Sequence, residues 1–275
     1  MKIKATLTAL ALTAALSAPM ASAEIWGNTE VQIQAGGEFE HGFGNQSTGT
    51  ITTFQHAGGW EYGDNFFFVD HSQYSGKNGY NDSAEFYGEW YSNFSLGAIT
   101  GSDLSFGPVK DIGLVAGLNY APEVDSSWVL PGVTFALDLP GFAFATLNVS
   151  AFMHLNGADS SLAGNFDAPF AIIDEDTSYM VDFAWAVPFK LGSTSWSFEG
   201  HAEYIDGRTQ VNNFGTTELE SWILIQPQVR LDVGELMSMP SQRLFAGIEY
   251  QYWKNKLGMK GVDDNTVQFL AVWRF

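Results

Sequence analysis

The sequence predicts an all-β protein, a closed antiparallel transmembrane β-barrel of about 12 strands preceded by a cleaved signal peptide. Three observations predict it. Apolar and polar residues alternate with period two in segment after segment, so each segment read as a strand has one greasy face and one polar face. The chain opens on a secretory leader. It closes on D-N-T-V-Q-F-L-A-V-W-R-F, whose apolar row of Val267, Phe269, Ala271, Trp273 and Phe275 includes the final residue, although chain ends are ordinarily polar and frayed.

The leader comes first. Lys2 and Lys4 form a positive n-region, Ala5 to Ala18 an apolar run too short to span a bilayer, and Ala21-Ser22-Ala23 a small-residue cleavage site, which places the cut before Glu24. The expected organisation is therefore a signal peptide over 1–23 and one barrel over 24–275. There is no cysteine, so an exported chain of this kind must be held by a large core or by closed backbone pairing rather than by disulfides. The 12 Lys and Arg fall to 10 once Lys2 and Lys4 are removed, against 31 Asp and Glu, a net charge near −21. That balance excludes nucleic acid as a partner, because binding it needs a basic footprint. No segment after the leader is an apolar run of about 18 residues, so no transmembrane helix is expected, whereas a barrel strand needs only about 9–11 alternating residues.

The strands follow in order at 29–40, 49–60, 65–73, 83–94, 108–120, 128–138, 142–154, 176–187, 194–205, 218–231, 243–254 and 263–275. In 83–94, Phe86, Trp90 and Phe94 oppose Glu85, Tyr87, Glu89, Tyr91 and Asn93. In 108–120, Ile112, Leu114, Ala116, Leu118 and Tyr120 oppose Asp111, Gly113, Gly117 and Asn119. In 176–187, Tyr179, Val181, Phe183, Trp185 and Val187 stand opposite Asp182. In 194–205, Trp196, Phe198, Ala202 and Tyr204 oppose Ser195, Ser197, Glu199, His201 and Glu203. The span 65–73 is apolar on both parities through F-F-F-V, and 128–138 contains Pro131. Turn clusters such as G-N-Q-S-T-G, S-G-K-N-G-Y-N-D and D-L-P-G separate the strands.

An even strand number puts both chain ends on one side. With that side periplasmic, the longest connection, 155–175, lies outside and the tight L-P-G at 139–141 inside, as outer-membrane barrels prefer; the inward connection 95–107 is longer than that rule favours. Trp90, Tyr120, Trp196, Tyr204, Trp273 and Phe275 on apolar faces suit the interfacial aromatic girdles. The expected location is the bacterial outer membrane, with the lipid bilayer as one partner and the outer-membrane assembly machinery, reading Phe275, as another.

At 102–110 the chain reads S-D-L-S-F-G-P-V-K. With the alternation running on to Asn119-Tyr120, this stretch resembles the nucleoside-specific channel-forming porins, the Tsx family and its OmpK relatives. F-F-F-V-D at 66–70, D-L-P-G-F-A-F-A-T-L-N-V-S-A-F at 138–152 and the aromatic carboxy terminus extend the likeness in order along most of the mature chain. The resemblance implies a narrow twelve-stranded barrel that passes nucleosides and deoxynucleosides, and a surface that phages and colicins use as a receptor. It maps no nucleoside contact onto individual residues.

The residues themselves offer a lumen of acids (Glu38, Glu85, Glu89, Asp111, Asp182, Glu199, Glu203), tyrosines (Tyr87, Tyr91), His201 and a few cations, Arg230 and Arg274 among them. Carboxylates accept from ribose hydroxyls and rings stack on a base, so this mixture suits a flat, neutral, hydrogen-bonding solute held weakly enough to leave. Acids that merely line water give cation preference instead, so a general diffusion pore, or a barrel serving mainly as a surface receptor, stays open as an alternative.

Enzyme readings fare poorly. Asp70 and His71 are neighbours in a strand and point to opposite faces. His201 is about 6–7 Å along the strand from Glu199 and Glu203, beyond hydrogen-bond reach. No H-x-H, H-E-x-x-H or G-x-S-x-G occurs. Nothing resembles a phosphate loop or an energy-coupling plug, so no cofactor is expected. The segment 155–175, with Phe166, Phe170, Ile172 and Ile173, has the apolar content to fold inward and constrict the pore, or else to present an epitope at the surface.

Overall fold

A computed structural model describes residues 24–155 and 171–275. The strands run β1 (Trp26–Ala35), β2 (Phe39–Glu40), β3 (Gln46–Trp60), β4 (Gly63–Lys77), β5 (Ser83–Ser95), β6 (Val109–Ala121), β7 (Ser126–Leu137), β8 (Phe144–His154), β9 (Asp174–Glu175), β10 (Ser178–Leu191), β11 (Thr194–Ile205), β12 (Arg208–Asn212), β13 (Gly215–Leu219), β14 (Trp222–Asp232), β15 (Leu244–Lys254) and β16 (Asp264–Arg274). Twelve of them form the antiparallel wall, each paired with its sequence neighbours in that wall. The wall closes because β1 pairs on one side with β3 and on the other with β16, Glu30 opposite both Gln55 and Arg274. Closure leaves the wall with no unpaired edge, the condition for crossing hydrocarbon with strands. No described helix is long and apolar enough to cross a membrane.

The two faces follow the alternation. Along β16 the buried residues are Asp264, Thr266, Gln268, Leu270 and Val272, and the exposed ones Asn265, Val267, Phe269, Ala271 and Trp273. The outer surface carries Phe86, Leu114, Val133, Val149, Phe198, Ile248, Val267 and Phe269, all exposed. Exposed apolar surface of this extent marks a bilayer contact rather than a soluble face. The register lines up Leu114, Val133, Val149 and Val181 across four adjacent strands of that surface.

Local chemistry explains the departures from regularity. The expected first strand, 29–40, is two elements, because Gly36 and Gly37 both take φ above +90° and break the ladder. Ladder pairing between β7 and β8 skips the position of Pro131, and that between β14 and β15 skips Pro227, since proline has no N–H to donate. At the end that carries the chain termini, two connections are two residues long (61–62 and 192–193) and two hold short helices, α1 (Leu96–Thr100) and α2 (Val233–Leu236). The unexpectedly long inward connection is thus a folded one: Asp111 accepts from the Ser95 hydroxyl and from Gly97 N–H (3.1 Å), fastening α1 to the wall.

The opposite end carries the two longest connections of the wall, 155–177 and 206–221. There β9, β12 and β13 make a small separate sheet. Below it Trp128, Leu130, Phe152, Ile172, Met180, Ile205 and Trp222 pack as one buried cluster. Ile172 does fold inward, with only 4% of its surface exposed; Phe166 and Phe170 lie outside the described residues. Arg208 Nε lies 2.6 Å from Glu175 Oε1, off the N–H axis, and its guanidinium sits over the rings of Phe152 and Trp222 at 4.7 and 4.6 Å. The loop end of the lumen is therefore packed with side chains on that side.

Candidate functional site

The lumen is polar because every second residue of twelve strands is presented to it, and many of its polar groups satisfy one another in two networks. The first is on β5 and β6. Glu89 accepts from Tyr87 Oη at 2.6 Å, Tyr91 Oη at 2.8 Å and Asn119 Nδ2 at 3.0 Å, and the same Asn119 group donates to Tyr87 Oη at 3.0 Å. The Tyr91 ring lies against Gly117, where a β-carbon would meet it at 2.8 Å.

The second network crosses the closure seam. Glu30 on β1 is 1% exposed. Its Oε1 accepts from Arg230 (3.0 Å), Gln32 (2.7 Å) and Gln55 (2.8 Å), and its Oε2 from Arg274 Nε and Nη2 (3.0 Å each). Arg230 also reaches Glu199 at 3.3 Å, and Gln228 and Gln268 both donate to Glu249. Both arginines are thus neutralised in place.

Between the networks lies a cavity of about 1020 Å³. It is lined from the terminal end (Trp26, Phe144, Lys190, Ser195, Gln242) to mid-barrel (Ile51, Glu89, Asp182, Glu203, Gln226). Its lining holds eight carboxylates (Asp64, Asp70, Glu89, Asp182, Glu199, Glu203, Asp232, Glu249) against three cations (Lys190, Arg230, Arg274). Phe66 and Phe68 of β4 face in beside Tyr91; Phe68 stands 6.0 Å from the Phe66 ring and 6.0 Å from the Tyr87 ring. Asp182 and Glu203, across the cavity wall, are close enough to Glu89 to repel it.

The residues singled out by sequence fall into four places. Glu89, Tyr91, Asp182, Glu199, His201, Glu203 and Arg230 line the cavity, and Tyr87 holds Glu89 behind it. Glu85 sits at the loop end of β5, accepting from Tyr80 Oη at 3.0 Å, and Asp111 is taken up in fastening α1. Glu38 is outside the lumen: its side chain is 68% exposed and pairs with Lys77 at 3.2 Å. The glycine break at 36–37 ends the alternation before Glu38, so parity carries no meaning there. Asp70 faces in, accepting from Thr53 at 2.6 Å, whereas His71 stacks on Phe86 outside, so the two cannot share a proton.

No protein-family model matches the sequence, and no curated protein matches it. Among solved structures, an outer membrane channel from Pseudomonas putida F1 is similar at 9% identity and a TM-score of 0.50, over 92% of this chain and 97% of that one. The fold is an outer-membrane β-barrel. This outer-membrane barrel is also similar to the β domain of a Bordetella autotransporter (8% identity, TM-score 0.40, 90% and 98% covered) and to a chain solved in work on in-meso crystallization of membrane proteins (14%, 0.41, 90% and 83%).

Sequence reasoning missed Glu30, Glu249 and the Phe66–Phe68 pair. The signal for Glu30 was present: Glu30, Gln32 and Gln34 alternate with Val31, Ile33 and Ala35. Phe66 and Phe68 carried none, because Phe67 and Val69 make the opposite face equally apolar.

Proposed function

We propose that the outer-membrane barrel is a passive channel for small solutes, with nucleosides and deoxynucleosides as the preferred class. The observation that carries this reading is the cavity: a polar space inside a closed barrel, with the rings of Phe66, Phe68 and Tyr91 along one wall and the carboxyls of Asp182 and Glu203 among the groups facing them. A flat base stacks on such rings for roughly 1–3 kcal/mol, and ribose hydroxyls donate to carboxylates. The sum suits binding near 1 mM, about −4 kcal/mol, weak enough for release. The likeness of S-D-L-S-F-G-P-V-K and the later segments to the nucleoside-specific porins supports the same substrate class. Aligning the short connections and both termini with the periplasm follows the pattern of outer-membrane barrels.

The test is ion current through the barrel in a planar bilayer. Adenosine or thymidine at low-millimolar concentration is expected to block the current, and glucose to block it less. Phe68→Ala and Tyr91→Ala are expected to weaken the nucleoside block by removing stacking surface. Equal permeation of nucleosides and sugars without block removes the substrate class and leaves a general diffusion pore.

A further inference from the structure

Three adjacent strands set three oxygen-bearing side chains side by side on the lumen wall. Asn148 of β8 lies opposite Asp182 of β10, and Asp182 opposite Glu203 of β11. All three line the cavity. Residues opposed in this way have β-carbons about 4.5–5.5 Å apart, and like charges so placed destabilise a sheet.

Elsewhere in the lumen such conflicts are resolved by pairing. Glu30 takes two arginines, Glu89 two tyrosines and an asparagine, Glu249 two glutamines. The row across β8, β10 and β11 is different. Among the described residues the Asp182 carboxyl has neither a hydrogen bond nor an ion pair. Glu203 has one long contact, from Trp222 Nε1 at 3.4 Å. Asn148 is only 9% exposed, and its buried Oδ1 has no donor. A buried acceptor left unmet is costly, and an unpaired buried charge more so. The nearby Glu89 adds negative charge rather than relieving it. Of the cations on these strands, Arg230 is already engaged by Glu30 and Glu199, and Lys190 lies eight residues further along β10 from Asp182, at the terminal end of the cavity. What the row lacks is a positive donor.

We propose that Asn148, Asp182 and Glu203 form a binding site for a small monovalent cation, either an alkali ion or the primary ammonium head of a solute. An ammonium brings three N–H donors to three side chains that hold one long hydrogen bond between them, and an alkali ion replaces part of its water by the same oxygens. Among the described residues no group of three His, Cys, Asp or Glu side chains is placed to hold a metal ion, and the row offers two carboxylates and one amide. The site gives the proposed channel a cation-selective step at mid-barrel. It rests on that reading only in requiring a solute-accessible lumen, so it is tested by binding rather than by conduction.

The experiment is calorimetric titration of the folded, detergent-solubilised protein at fixed ionic strength. The titrants are methylammonium, potassium and, as a bulky cation without N–H groups, tetramethylammonium. Methylammonium or potassium is expected to bind with a dissociation constant on the order of 1 mM, and tetramethylammonium at least tenfold more weakly. Binding of methylammonium alone identifies a solute head group; binding of potassium alone identifies an alkali ion. Asp182→Asn and Glu203→Gln are each expected to lower the affinity at least about tenfold, and Asn148→Leu to lower it less. Glu218→Gln, on an exposed hairpin, keeps it. Folding of each variant is read independently from its heat-modifiable gel mobility, so that one misfolded variant leaves the other two to decide. Absence of binding by folded wild-type protein, or unchanged affinity in the folded variants, overturns the site. Ammonium binding with no conductance in a bilayer would instead refute the channel and leave the site standing.

Discussion

Glu30 is the position where a single substitution should weaken the barrel most. It is 1% exposed and supplies both oxygens to two guanidinium groups, Arg230 at 3.0 Å and Arg274 at 3.0 Å, with Gln32 and Gln55 as further donors. Glu30→Ala would leave Arg274 without its carboxylate and Arg230 with Glu199 alone, at 3.3 Å. Removing one partner of a buried pair costs roughly 3–5 kcal/mol, because the remaining charge is left without compensation. Arg230 keeps Glu199, and the Arg274 side chain is 16% exposed, so the low end applies and we expect about 3 kcal/mol. Glu30→Gln keeps an acceptor but loses the charge, and about 1–2 kcal/mol is expected. The assay is urea unfolding in lipid vesicles followed by tryptophan fluorescence, with the midpoint converted through the slope of the transition. A Glu30→Ala/Arg274→Ala cycle should show a coupling energy of more than about 0.5 kcal/mol. A Glu30→Ala midpoint within about 1 kcal/mol of wild type would refute the view that this pair network holds the seam.

Three further outcomes are expected. Phe275 is exposed on the lipid face and its N–H donates to Thr29 O at 2.9 Å, so deleting it or replacing it with Asp should sharply reduce outer-membrane insertion, measured by fractionation; normal insertion would remove the reading of the terminus as an assembly signal. Leu114→Lys, in the mid-strand apolar row, should cost about 2–4 kcal/mol in vesicle unfolding and Asp182→Lys much less, and equal costs would reverse the assigned faces. His41, beyond the glycine break at the loop end, stacks on Tyr80 at 3.7 Å; burial and then the Lys256 charge hold its pKa down to about 4, with Asp264 opposing. Its neutral form is favoured by folding, so its contribution is present above the ordinary value near 6.5 and lost as pH falls from there through about 4. An NMR titration of the ring should show the low midpoint, and a midpoint near 6.5 would contradict the packed loop.

Twelve strands and their faces were legible because period-two alternation in a barrel is imposed on every strand, and a wrong parity would put a carboxylate in hydrocarbon. Phe86, Trp90 and Leu114 are exposed on the outer face for that reason, whereas Trp196, expected on the same face, is among the residues around the cavity mouth. The limits have equally local causes. Leu270 and Val272 face inward despite being apolar, because near the terminal end they pack with Phe245 rather than meet water. Glu38 was misplaced by two glycines that end the strand. The site was only half visible: alternation identifies Glu89, Asp182 and Glu203 as inward, but which of them meet depends on the register of strands far apart in sequence. That Glu30 would receive Arg230 and Arg274 follows only once the first strand has met the last.

The closure seam also constrains the order of folding. Its ladder joins residues about 240 apart, Glu30 with Arg274 among them, so its loop-closure entropy is paid over nearly the whole chain before any contact at the seam repays it. Hairpins such as β3–β4, joined by two residues, carry almost no such cost and are free to form early. Until the seam zips, β1 and β16 are bare edges able to template pairing with another chain. The Glu30–Arg274 contact is then among the last to form. Contacts absent from the transition state act on the escape rate from the folded state rather than on the rate of reaching it. The polar knot at the seam would thus set how long a finished barrel persists, while the speed of its construction is decided elsewhere.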